Sequence, residues 1–118
     1  MKTFLAIYLG SPSSSKLEAW NALPASQREA QHQAGVAAWH AWFGKNQAAI
    51  VDGGGPLGRT KTISAQGISD TRNLLTGYTV VKAESHEAAA RLFENHPHFS
   101  LMPGESVDIM EILPIPGR

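Results

Sequence analysis

The sequence contains no cysteine. That excludes disulfides, thiolate nucleophiles and thiolate-bound zinc together, and it fits a reducing compartment. Net charge is also missing, since ten Lys and Arg balance ten Asp and Glu. No overall field would draw the chain to nucleic acid or to an anionic membrane surface, and neither is expected as a partner. No run approaches the roughly 20 apolar residues of a membrane span. The opening MKTFLAIYLG lacks the small-residue cleavage site of a secretory signal, and its alternation suits a buried strand. A cytoplasmic location is therefore expected. Internal repeats and low-complexity segments are absent as well. What is present is ordinary globular composition, 42% hydrophobic and 17% charged, which argues against disorder. A length of 118 residues suits one core and not two, so a single domain over 1–118 is expected.

Periodicity divides the chain into elements. Thr3–Leu9 is apolar on both faces, as in a central strand covered on both sides or lying at a subunit contact. Gly10–Ser15 is a loop by composition, and Lys16–Leu23 holds a short helical turn. Ser26-Gln-Arg-Glu29 matches a capping box and predicts a helix from there to about Lys45. At 100° per residue, His32, Val36, Trp39 and Phe43 share its inner face, with Trp42 and His40 at the two margins. Within Ala48–Ala65 an apolar run ends at Asp52, glycines and a proline turn the chain, and alternation resumes from Lys61, a hairpin pattern. Gln66–Leu75 reads as polar loop and Gly77–Ala83 as a strand. Ser85 caps a second helix over His86–Asn95, with Ala89, Leu92 and Phe93 inward and Pro97 ending it. Ser106–Leu113 is the last strand, followed by a non-pairing tail, PIPGR. The order β-α-β-β-α-β predicts an α+β fold of the ferredoxin-like βαββαβ kind, with both helices on one face of an antiparallel sheet. The other face would stay uncovered in a monomer, and its apolar residues point to a homodimer.

Few side chains bring chemistry. Asp52, where the first hairpin strand leaves the core, is a general base if buried, or an Asx-turn former accepting amides of the glycines after it. Gly53–Gly58 matches G-x-G-x-x-G, but a strand pattern follows it where a dinucleotide site needs a helix N-terminus. His40 and His32, two helical turns apart, are either proton carriers near neutral pH or core-edge residues bonded to a carbonyl or water. Trp39 and Trp42 serve as core or as walls for a flat aromatic ligand, and Tyr78 either offers a hydroxyl to the same cleft or simply packs with a hydrogen-bonded tip. His96-x-His98 would hold a metal if extended, yet no third ligand lies nearby. Neither metal nor organic cofactor is expected.

The run Trp39–Phe43 with Ala48–Gly58, then Leu75–Tyr78, Ala83–Phe93, His96–Phe99 and the closing Ile109–Gly117, resembles the YCII-related domain family over nearly the whole chain. The resemblance implies a dimeric α+β barrel, two ferredoxin-like sheets packed face to face. It also implies kinship with proteins of which a few act on small aromatic or chlorinated aromatic substrates. The family's helix histidine falls near Gly35 or Val36 here, with His32 and His40 about one turn to either side. The expectation is a small-molecule enzyme without cofactor, doing proton transfer or elimination, with Asp52 and His40 catalytic and His32, Trp39 and Tyr78 binding the ligand. The alternative is a non-catalytic, small-ligand-binding or accessory homodimer.

Overall fold

In the computed structural model, which describes residues 1–11 and 13–117, an antiparallel sheet carries the helices on one face. Its strands are β1 (Lys2–Leu9), β2 (Ile50–Pro56), β5 (Leu75–Ala83) and β6 (Ser106–Glu111), in the order β2-β5-β1-β6. That is the ferredoxin-like order, with β1 central as its two-sided apolar pattern requires. Helices α1 (Ser15–Ala22), α2 (Ala25–Lys45), α3 (His86–Arg91) and the single turn α4 (Pro97–Ser100) complete the frame. Pro12 and Arg118, in the predicted loop and tail, lie outside the described residues.

The pleat of β1 sorts its side chains. Phe4, Ala6 and Tyr8 point to the helices and are buried, and the register sets them beside Val81, Thr79 and Gly77 of β5. Trp42 of α2 and Ala89 and Phe93 of the α3 region close over them to form one core. The Trp42 indole N–H donates to the Leu92 carbonyl at 2.8 Å, which satisfies the polar end of a buried ring. On the other face, Val80, Leu5 and Met110 stand side by side across three strands, and no helix covers them.

Four local expectations are corrected. The capping box does not form, because α2 starts a residue earlier behind Pro24, and the Glu29 carboxylate accepts from Gln33 instead. The inner stripe of α2 runs through Gly35, Trp39 and Trp42, while Val36 is 38% exposed. Gly35 is the point of closest approach on this stripe. A Cβ there would collide with Met102 Sδ, so this glycine, tolerated mid-helix at about 1 kcal/mol, lets Met102 press onto the helix. The glycines after Asp52 do not turn away from the sheet. They continue β2 through two register shifts, with Gly55 opposite Tyr78 and Pro56 opposite Gly77. Gly54 sits at φ 65°, and any side chain there would overlap the Tyr78 carbonyl.

Lastly, the predicted hairpin partner is different. β3 (Thr60–Ser64) pairs with β4 (Gly67–Thr71), inside the stretch expected as loop, and the two form a separate ribbon. The two-residue connection Ala65-Gln66 explains it, since so tight a link favours the nearest strand as partner. Ile63 and Ile68 face each other on the ribbon, 75% and 69% exposed.

Phe4→Ala should lower unfolding free energy by about 3–5 kcal/mol in urea titration, as expected for removing a fully buried ring. Gly54→Ala should destabilise as well, through backbone overlap, whereas Gly58→Ala, in open space, should leave the midpoint unchanged.

Candidate functional site

Between α2, from His32 to Phe43, and the β2–β5 edge of the sheet the packing opens into a cavity of about 450 Å³. The bulge of β2 makes it. Gly53, Gly54 and Gly55 bring only backbone to the wall, so the space their side chains would occupy stays open. Four aromatic rings face that space, from Tyr8, Trp39, Phe43 and Tyr78. Thr79, Met102 and His32 also line it, and His32 is otherwise exposed to solvent.

The expected site residues separate on this map. Trp39, Tyr78 and His32 line the cavity together. Asp52 does not line it. Its carboxylate is exposed, Oδ1 accepting from the Gly54 amide at 2.9 Å and Oδ2 from the Tyr78 hydroxyl at 3.5 Å. The first bond is the Asx-turn arrangement, and both partners, Gly54 and Tyr78, line the cavity. His40 is exposed and is not among the residues that line the cavity. Among the described residues no imidazole makes an ion pair or hydrogen bond with Asp52.

Residues without any sequence signal of function hold the site in place. The Thr79 hydroxyl donates to the Gly53 carbonyl at 3.2 Å, which leaves its oxygen to accept from Tyr8, 2.8 Å away. Tyr8 is 3% exposed, and burial pushes its phenol up to about 12, the bond to Thr79 opposing this, so it stays a donor at neutral pH. This relay runs from β1 through β5 to the bulge of β2.

Behind Trp39 lies a second unanticipated feature. His96 is completely buried among the rings of Tyr8, Trp39, Trp42 and Phe93, with centroids 4.6 to 5.7 Å away. Its Nδ1 accepts from the His98 amide at 3.0 Å and so caps α4, while Nε2 has no partner. The pair is not extended, and among the described residues no three His, Asp or Glu side chains converge. Burial, with the neighbouring His98 adding to it, pulls the His96 imidazole down to about 4. His98, bonded through Nε2 to the Leu9 carbonyl at 2.7 Å, is also lowered by burial.

Fold and cavity together define the class: a ferredoxin-like α+β domain with an aromatic-walled cleft beside its sheet. No family model matches the chain, and no curated protein matches it. Among solved structures it is similar to the 5-chloro-2-hydroxyhydroquinone dehydrochlorinase of Burkholderia phenoliruptrix, determined with 2,5-dihydroxybenzoquinone. The identity is 20% and the TM-score 0.48, over 91% of this chain and 89% of that one. A likeness of that size bears on neither activity nor ligand. Among the described residues no helix is long and apolar enough to cross a membrane.

The lowered His96 sets a pH dependence with a definite sign. Between about 6.5 and 4 the unfolded chain binds a proton that folded His96 refuses, so its stabilisation is complete above 6.5 and fades as pH falls toward 4. Urea midpoints across this window should fall with acid. His96→Asn, which retains a cap acceptor but cannot titrate, should flatten the slope and leave the smaller part due to His98.

Proposed function

We propose that the chain binds a small, flat organic molecule in this cavity and acts on it by proton transfer or elimination without a cofactor. The observation that carries the reading is the wall itself: four aromatic rings around about 450 Å³. That volume lies in the lower part of the range for small-molecule sites, which suits a single ring with short substituents. One lining hydroxyl, that of Tyr78, reaches the Asp52 carboxylate. A substrate proton near that hydroxyl would pass to the Asp52 carboxylate directly or through Tyr78, and the phenol would hold an anionic oxygen as it forms. In this reading His32, which lines the cavity, takes the part first expected of His40. A purely binding or accessory role is the second reading, favoured by the lack of any contact between Asp52 and an imidazole.

Placement in the YCII-related family, a cytoplasmic location and a homodimer belong to the same proposal. The uncovered row Val80–Leu5–Met110 supports the dimer, since burying it against a second copy removes apolar surface that a monomer leaves in water. Sedimentation at low micromolar concentration should give twice 12.7 kDa. A monomer there would refute the dimer.

Hydroxylated benzenes titrated into the protein should change tryptophan fluorescence saturably, and Trp39→Phe should remove the change, leaving Trp20 and Trp42 silent. For any compound that is turned over, Asp52→Asn should lower the rate by about 100-fold or more while binding is kept. Saturable binding with no turnover across the panel would select the non-catalytic role.

A further inference from the structure

A second cavity of about 480 Å³ lies on the far side of Trp39 and Met102. Both cavities share Trp39, Pro56, Thr76 and Met102, so one layer of residues separates them. The second chamber is largely apolar too, formed by the loop after β1, the segment Asn73–Leu74 and the turn after α4, with His98 in its wall.

The four shared residues differ in how firmly they are held. Thr76 donates its hydroxyl to the Tyr8 carbonyl at 2.9 Å, and Pro56 is fixed by its place in β2 opposite Gly77. Trp39 is wedged among Tyr8, His96 and His98, with centroids 4.9, 4.6 and 6.1 Å away. Met102 alone is an unbranched chain on a turn, and its side chain makes no hydrogen bond. Its position comes from the notch at Gly35, where the thioether takes the space of the missing Cβ. Gly35 lines neither cavity, and its effect on the site runs through Met102.

We infer that Met102, seated on Gly35, is the partition between two chambers of one cleft and sets how long a ligand the site accepts. This rests on the reading of the first cavity as a site for a flat ring. In the resting arrangement a ring with short substituents fits the first chamber. A ring with an apolar arm of several carbons enters the second chamber only when the thioether swings off its notch. The ligand class that uses the whole cleft is therefore an aromatic head with an apolar tail.

The test compares calorimetric affinities for para-cresol and para-heptylphenol in wild type, Met102→Ala and Gly35→Ala. Wild type should bind the cresol and gain little from the longer tail. Met102→Ala should raise the ratio of heptylphenol to cresol affinity by at least about tenfold, because the tail then reaches apolar wall. Gly35→Ala, which evicts the thioether without altering a lining residue, should shift the ratio of the two affinities by at least about threefold. If Met102→Ala fails to fold by circular dichroism, Met102→Val should show a smaller rise of the same sign. An unchanged ratio in the folded variants, with cresol still bound, overturns the partition and leaves the ring site standing. A wild type that already prefers heptylphenol tenfold overturns it also. Failure of wild type to bind either phenol, with the cavity lining intact, removes the ring site and the partition with it.

Discussion

The hydrogen-bond relay from Tyr8 through Thr79 to the Gly53 carbonyl is the constraint on which the cleft depends. Its direction is fixed chemically. A carbonyl only accepts, so Thr79 must donate to Gly53, and Tyr8 must then donate to Thr79. Burial reinforces this by keeping the phenol protonated. The relay ties the central strand to the bulged edge strand, where the regular ladder is interrupted and backbone pairing alone holds less. It also sets the Tyr8 ring against Trp39 and Phe93, so one residue belongs to both the core and the cavity wall.

From that anchor α2 divides into two functions around its circumference. Trp42 lies on the core, stacked on Phe93 with centroids 4.8 Å apart and its N–H on a carbonyl. His32, Trp39 and Phe43 face the cavity, where the glycines of β2 offer no side chains to meet the helix. A cavity so built is not a packing fault. Its opening lies where the side chains of β2 are missing, at Gly53–Gly55.

The His96 cluster supports the back of the same wall. An imidazole enclosed by four rings cannot ionise cheaply, so it serves as a neutral cap for α4 and a rigid neighbour for Trp39. Rigidity there is consistent with the freedom of Met102 beside it, since a partition can move only against walls that do not.

Strand and helix periodicity in the sequence determined the frame: the central strand from Thr3 to Leu9, the strand ending at Ala83, the Ser85-capped helix and the antiparallel ferredoxin-like order. These follow from local rules, the period of apolar residues and the side chains that cap helices, which act over a few residues. Trp39 and Tyr78 were legible as wall residues because aromatics on inward faces near a strand end have few other places to go. What only the tertiary structure decided depends on contacts far apart in the chain. His40 lies exposed while His32 lines the cavity, and Met102 meets the helix at Gly35 across 67 positions of sequence. The glycines became a bulged strand because Tyr78 and Gly77 of β5 were there to pair with them. His96, in the sequence half of a His-x-His pair without a third ligand, was buried because four rings from three separate segments close around it. Periodicity records which side of an element is apolar, and the partner that fills a particular gap on that side is known only once the chain has folded.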